Sequence, residues 1–121
     1  MTRQLSFIAP MSGLGENITY QLEEVEGADG LYRFEWEPGV GVYALAAADH
    51  LPTYQPEFDE LDLEAIGAAA DEVEVFVIAN SGAGELTVNL LAPVIVFEDR
   101  ALQVILDGQG FPVRAPLAAG V

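Results

Sequence analysis

The sequence contains no cysteine and no lysine, and each absence removes a class of function. Without cysteine, the chain can form neither a disulfide framework nor a thiolate metal site. The four basic residues are all arginines, and they face 20 acidic residues, so the formal net charge is -16. Because a phosphate backbone is bound through basic residues that displace its counterions, we expect no direct nucleic-acid ligand.

Groups for nucleophilic catalysis are also scarce. The single histidine is His50, and the serines are Ser6, Ser12 and Ser81. A nucleophile needs a base within reach and a third group that orients the base, and the sequence presents no such set. We interpret His50, in the stretch AADHLPTY, as a loop residue and not as a proton shuttle. We therefore predict no catalytic residue and no cofactor.

Long apolar runs and leader-like segments are missing as well. The longest purely apolar runs are too short to cross a bilayer. The apolar part of TRQLSFIAPMSG is too short for the core of a signal peptide. We therefore expect a cytoplasmic protein with no membrane association.

The residues that are present are those of a folded domain. Hydrophobic residues make up 51% of the 121 positions and charged residues 20%, as in globular proteins. This length suits one domain over residues 1–121, with one core, and we expect it to be monomeric. The acidity either steers basic protein partners to the surface or reflects a solvated surface in a saline or lysine-poor background.

Short segments rich in β-branched and aromatic residues predict a mainly β fold. Seven strands are expected, at RQLSFIA, ITYQLEEV, LYRFEWE, VGVYALAA, VEVFVIAN, ELTVNLLAPVIVFE and ALQVILD. The short glycine-rich turns between them favour antiparallel neighbours. In VEVFVIAN, apolar residues occupy both faces, so we expect this strand to be covered on both sides.

One segment, EFDELDLEAIG, has helical spacing. Asp59 is the expected N-cap, and the acidic residues after it suit the positive end of the helix dipole. Leu63 and Ile66 belong to its apolar side, and Gly67 is expected to end the helix. We expect the helix to lie across one face or mouth of the sheet.

The most hydrophobic predicted strand is interrupted by Asn89 and Pro93. Proline cannot donate to a β-ladder and is found at edges, bulges or bends. We expect the chain to bend here, at the corner of a small closed or partly closed antiparallel β-barrel-like domain with one short helix. The Asn89 amide is expected to bond backbone groups exposed at the bend.

Five successive segments of the second half of the chain form a pattern. They contain Pro52, Tyr54 and Pro56; Asp62, Leu63, Ile66 and Gly67; Asn89, Leu90, Ala92 and Pro93; Gln103, Val104 and Leu106; and Pro112, Val113, Arg114, Pro116 and Leu117. These segments resemble the landmarks of the FliW family of flagellar assembly factors. Their order and spacing match the family over residues 52–117, whereas the region 31–51 is shorter than usual.

The resemblance implies a small β-barrel-like cytoplasmic protein without catalytic activity. It also implies two protein partners, flagellin and the RNA-binding translational repressor CsrA. Binding CsrA would relieve its repression of flagellin synthesis, and free flagellin would restore repression by occupying the FliW-like protein. An acidic protein is suited to a basic RNA-binding partner.

We predict partner contacts at a surface patch and at the strands behind it. The predicted residues are Tyr54, Glu57, Asp59 and Glu60 in the patch, and Asn89, Gln103 and Arg114 behind it. Tyr54, on a segment stiffened by Pro52 and Pro56, suits either a core plug or an interface anchor. Arg114 is expected to pair with a carboxylate of this chain or with one of a partner.

Two other functions stay open at this point. A carboxylate-dependent hydrolase or sugar-binding barrel would require two carboxyl groups that converge in a concave pocket. A diverged relative could keep the barrel and bind other partners. The stretch DELDLE lacks the mid-loop glycine and the terminal glutamate of an EF-hand, so we predict no metal site.

Overall fold

A closed β-sheet forms the body of the protein. The computed structural model describes residues 2–11, 16, 18–82 and 85–116. Within these ranges the strands are β1 (Thr2–Phe7), β2 (Thr19–Glu24), β3 (Leu31–Glu37), β4 (Val40–Ala46), β5 (Glu74–Gly82), β6 (Glu85–Val88), β7 (Val94–Phe97), β8 (Arg100–Gln103) and β9 (Ala115–Pro116). The helices in the same ranges are α1 (Ala47–His50) and α2 (Glu60–Ile66).

Seven of these strands close into a barrel. Their order is β4-β3-β2-β1-β8-β7-β5, and β5 also pairs with β4, which closes the ring. Strands β6 and β9 extend the sheet beyond β5. The predicted mainly β, barrel-like fold is confirmed. The prediction that the barrel is antiparallel throughout is wrong for one pair: β1 and β8 run parallel, while the other pairs are antiparallel, so the barrel is mixed. The short α1 accompanies the predicted α2.

The interrupted strand divides where the sequence indicates a bend. Strands β6 and β7 both pair antiparallel with β5, β6 through Ala79↔Val88 and β7 through Phe76↔Val94. Between these two pairs, residues 77–78 of β5 lie opposite residues 89–93. The surplus residues leave the ladder and form what we call the bend, residues 89–93. The chain therefore keeps β5 as one neighbour across the bend, while its other neighbour changes from β9 to β8, with which β7 pairs inside the barrel.

Aromatic side chains fill the barrel interior. The buried interior cluster comprises Leu5, Phe7, Met11, Tyr20, Leu22, Phe34, Ala44, Phe76, Val94, Val96 and Ala101. Phe7, Tyr20, Phe34 and Phe76 meet edge to face, with ring centroids 4.8–6.4 Å apart. In β3, Phe34 is buried, and Tyr32 and Trp36, which share its face of the strand and alternate with polar residues, pack against the same cluster.

Residues 47–68 cover one outer face of the barrel. Val77 of β5 and Ile95 of β7 point outward and are fully buried, under Leu51 and under Ile66 of α2 respectively. The prediction that β5 is covered on both sides is confirmed. The helix ends are also as predicted: the Asp59 carboxylate accepts from the Leu61 N–H at 3.0 Å, and Gly67 has a positive φ of 79°.

A helix with the length and apolar content of a membrane crossing does not occur in the described part of the chain.

Candidate functional site

A connecting segment, residues 51–59, joins α1 to α2 across the outside of the barrel. Tyr54 fixes it in place: its hydroxyl donates to the Leu90 carbonyl at 2.6 Å, and its ring meets Phe111 edge to face at 4.9 Å. The ring packs against both outer core clusters. Burial raises the pKa of the Tyr54 hydroxyl. Its contacts within the chain are those of the predicted core plug, and its role as an interface anchor stays a prediction.

A side-chain amide anchors the end of the connecting segment. The Glu57 N–H donates to Gln109 Oε1 at 2.9 Å, and Gln109 Nε2 donates to the Glu57 carbonyl at 2.8 Å. The two bonds tie the segment to the turn after β8. Sequence reasoning missed Gln109, because DGQG signals only a turn and the contact spans 52 positions of the chain.

An acidic cleft lies beside this anchor. It has a volume of about 310 Å³, and its polar lining is Glu57, Asp59, Asp62, Asp107 and Gln109. The structure thus places the predicted Glu57 and Asp59 together and adds Asp62 and Asp107. The predicted Glu60 lines a neighbouring depression with Leu63 and Gly67. Ile105, which is 51% exposed, lines the cleft with these acids, and Leu61 of α2, just before Asp62 in the chain, is 73% exposed.

An apolar groove lies near the start of the connecting segment. It has a volume of about 610 Å³ and is lined by Tyr32, Ala46, Leu51, Tyr54, Val75 and Phe76, among others. Asp49 and Glu74 also line it, and Glu74 pairs with Arg3 at 2.9 Å. The pKa of the Tyr32 hydroxyl is raised, by burial first and then by the carboxylates of Glu24, Asp49 and Glu74.

Three predicted residues converge on the bend. Asn89 Oδ1 accepts from the N–H groups of Leu91 and Ala92, both at 3.1 Å, as predicted for its amide. Gln103 Nε2 donates to the Ala92 carbonyl at 3.2 Å. The Tyr54 hydroxyl donates a hydrogen bond to the Leu90 carbonyl. The bend is therefore held through its backbone by side chains from the connecting segment, the bend itself and β8.

Comparison with known proteins shows which family shares this architecture. A family profile described as "FliW protein" matches residues 2–117, a range that takes in every strand and helix named above. The chain belongs to the FliW family. It is 29% identical to "Flagellar assembly factor FliW" of Symbiobacterium thermophilum, over 99% of this chain and 93% of that protein. A solved structure, "Crystal structure of the flagellar assembly factor FliW", superposes with a TM-score of 0.84 at 21% identity, covering 98% of this chain and 88% of that one.

The landmarks that resembled the FliW family fall on the features just described. Tyr54 lies in the connecting segment, Gly67 ends α2, and Asn89 and Gln103 hold the bend. Leu117, the last of them, lies outside the described residues. Those four FliW landmarks thus shape the backbone of the outer layer, while Leu63, Ile66, Val104 and Leu106 pack in its hydrophobic cluster.

For two polar residues of this FliW-family chain, Arg114 and His50, the structure differs from the sequence predictions. Arg3, Arg33 and Arg100 each have a carboxylate within 3.5 Å, whereas exposed Arg114 has no ion-pair partner among the residues that the structure describes. The expected pairing of Arg114 within the chain is therefore not observed there. His50 is the last residue of α1 and not a loop residue, and its Nε2 lies 2.9 Å from the Asp29 carbonyl oxygen.

Proposed function

We propose that this FliW-family protein binds flagellin and the translational repressor CsrA, and so couples flagellin synthesis to flagellin supply. The observation that carries the proposal is the family match over residues 2–117. The two partners would bind with mutual exclusion or with negative coupling. Because coupling between two binding equilibria is reciprocal, flagellin then lowers the affinity for CsrA by the same factor by which CsrA lowers the affinity for flagellin.

The surface of the described residues has the chemistry of a protein-binding face. Exposed Ile105 lines the acidic cleft beside its carboxylates, and exposed Leu61 precedes Asp62 of the cleft in the chain. An apolar centre with a polar, solvent-accessible rim is the usual composition of an interface. The net charge of -16 accelerates encounter with a basic partner such as an RNA-binding repressor.

The acids of the cleft support binding more than hydrolysis. A general acid is usually a carboxyl group that burial keeps protonated near neutral pH. In the described part of the chain no acidic side chain is buried. Glu57, Asp59 and Asp107 are exposed, and Asp62 is half-buried. We therefore propose that the protein acts by association in the cytoplasm, as a monomer and without chemistry of its own.

The test is direct binding by calorimetry, with flagellin and CsrA from the same organism. We expect a complex with each partner at low and moderate salt, and we expect added flagellin to weaken the complex with CsrA. Absence of both complexes at both salt concentrations would contradict the proposal.

A matched pair of double variants asks whether the acidic cleft takes part. Glu57→Gln with Asp107→Asn neutralises two cleft carboxylates, and Glu37→Gln with Asp99→Asn removes the same charge from exposed positions elsewhere. We expect the cleft variant to weaken at least one complex about tenfold and the control to change it far less. Equal effects of the two variants would show that net charge, and not the cleft, matters.

A further inference from the structure

The sequence contains two aspartate-glycine pairs, Asp29–Gly30 and Asp107–Gly108. An aspartate before glycine can rearrange its own backbone, because a glycine nitrogen with no Cβ beside it approaches the side-chain carboxyl group with little obstruction. The approach requires the peptide group between the two residues to rotate about ψ of the aspartate. The hydrogen bonds that hold this peptide group therefore decide whether a pair can react in the folded protein.

The peptide group of Asp29–Gly30 is held at both of its polar atoms. The Asp29 carbonyl oxygen lies 2.9 Å from His50 Nε2. The Gly30 N–H donates to Glu24 Oε2 at 3.4 Å. Gly30 is also buried, and its own carbonyl accepts from the Ala46 N–H at 2.9 Å. Rotation of this peptide group would break these bonds, so the fold opposes the reaction here.

The peptide group of Asp107–Gly108 is not held in this way. Both residues are exposed, in the turn that follows β8. Among the residues that the structure describes, neither the Asp107 carbonyl nor the Gly108 N–H has a hydrogen-bond partner. A Cβ atom placed on Gly108 would meet no atom within 4 Å. The rotation that the reaction requires therefore breaks no protein hydrogen bond at this pair.

We propose that Asp107–Gly108 is a site at which the folded protein converts aspartate to isoaspartate. The Gly108 nitrogen attacks Cγ of the Asp107 carboxylic acid, a C–N bond forms, and the carboxyl OH leaves with the amide proton as water. Water then opens the resulting cyclic succinimide. Attack at the side-chain carbonyl restores aspartate. Attack at the main-chain carbonyl gives isoaspartate, in which the chain runs through Cγ and the former main-chain carbonyl carbon becomes the free carboxylate.

The conversion affects the anchor of the connecting segment. It keeps the negative charge of residue 107, but it lengthens the main chain by a methylene group and moves a carboxylate that lines the acidic cleft. Gln109, which comes directly after the pair, makes two bonds to the Glu57 backbone, at 2.9 and 2.8 Å. A longer main chain beside Gln109 cannot keep both bonds in their present geometry. The converted protein therefore holds the connecting segment less tightly, whichever partners it binds.

The absence of lysine allows both pairs to be compared in one digest. Trypsin cleaves this chain only after arginine, so Asp29 falls in fragment 4–33 and Asp107 in fragment 101–114. The folded protein is kept in mildly acidic buffer below its melting temperature and digested. A protein isoaspartyl methyltransferase with S-adenosylmethionine then labels isoaspartate. We expect label in 101–114 to accumulate at least about tenfold faster than in 4–33, because the fixed pair reacts only after local opening.

Two matched variants assign the label to its residue. Asp107→Glu keeps the charge at an exposed position, but its longer side chain disfavours ring closure, so the label in 101–114 should be lost. Asp29→Glu, also at an exposed position, should leave that label unchanged. In urea-unfolded wild type, both fragments should be labelled at similar rates. Equal labelling in the folded protein, or label retained in 101–114 of Asp107→Glu, would overturn the proposal.

Hydrogen exchange tests the effect on the connecting segment. The Glu57 N–H donates to Gln109, so its exchange rate in ¹H–¹⁵N spectra reports on the anchor. We expect this amide to exchange faster in the converted fraction than in fresh wild type, and as fast as in Gln109→Ala. The Val25 N–H, bonded to the Leu31 carbonyl at 2.8 Å, is the control and should not change. Unchanged exchange of the Glu57 N–H in the converted fraction would overturn the proposed loosening.

Discussion

At the scale of single residues, the bend is held by polar side chains that bond backbone groups. Asn89 accepts two N–H groups, while Tyr54 and Gln103 each donate to a carbonyl. An interrupted ladder leaves such groups without their strand partners, and a buried backbone group without a partner destabilises the fold. The polar Asn89 within the most hydrophobic segment of the chain is therefore explained by the backbone geometry of the bend.

Asn89→Ala should lower the free energy of unfolding by about 1–3 kcal/mol, because two backbone N–H groups lose their acceptor. Urea unfolding followed by circular dichroism measures the loss. Asn80→Ala, at an exposed position of β5, is the control and should change stability little. An Asn89→Ala protein of unchanged stability that no longer binds any partner would show that Asn89 is a contact residue.

Two tyrosines offer a paired comparison. Tyr54→Phe loses the bond to the Leu90 carbonyl and should destabilise by about 1 kcal/mol. The buried Tyr20 hydroxyl has no hydrogen-bond partner in the structure described, so Tyr20→Phe should leave stability unchanged or raise it. Thermal unfolding of both variants at neutral pH checks this order. A larger loss for Tyr20→Phe would contradict it.

Alkaline pH should reveal the buried state of Tyr54. Burial raises its pKa above the usual value near 10, so the folded protein holds this proton more tightly than the unfolded chain does. The resulting stability is complete below about pH 10 and is lost as the pH rises through the folded pKa. Unfolding free energies measured from pH 8 to 11 should fall less steeply for Tyr54→Phe than for the wild type. Identical slopes would contradict this assignment.

At the scale of elements, helix α2 depends on its ends and on one buried residue. It spans seven residues, which is too short for a stable isolated helix. Ile66 is fully buried against the outer cluster of β7 and β8, and Asp59 and Gly67 supply the caps. The acidic cleft is positioned by the same helix start, so cap and cleft share Asp59.

Two substitutions separate these roles of Asp59. Asp59→Ala removes the cap and should destabilise by about 1 kcal/mol, whereas Asp59→Asn retains an acceptor and should cost a few tenths. For binding to a basic partner, both variants lose the charge and should weaken the complex alike. Chemical denaturation and calorimetry on the same three proteins provide the two readouts. Equal destabilisation by both variants would show that the charge, and not the cap, stabilises α2.

At the scale of the whole molecule, the net charge of -16 acts against compactness. Like charges on a small closed barrel repel one another, and dissolved salt screens the repulsion. The ion pairs of Arg3, Arg33 and Arg100 offset little of it, because their side chains are all at least 30% exposed.

Raising the sodium chloride concentration from about 0.02 to 0.5 M should therefore raise the melting temperature, as charge repulsion is screened. Differential scanning calorimetry measures the shift, and choline chloride serves as the control for specific sodium binding. The same salt should weaken association with a basic partner. A melting temperature that falls with both salts would contradict the role given to repulsion.

The sequence by itself determined which segments form strands, where the helix is capped, and where the hydrophobic strand is interrupted. Each of these depends on neighbours within a few positions, as with Asp59 and Leu61 or Asn89 and Leu91. The FliW landmarks were readable for the same reason. Local hydrogen bonds and backbone preferences leave their signature in adjacent residues.

Only the tertiary structure decided the parallel pairing of β1 with β8, the closure of β4 on β5, and the two concave surfaces beside the connecting segment. Gln109 reaches Glu57 across 52 positions, and the groove is formed where one ladder stops before the other. Such contacts follow from strand order and register around the whole barrel. No short stretch of residues encodes them, because loop closure brings together groups whose partners are distant in the chain.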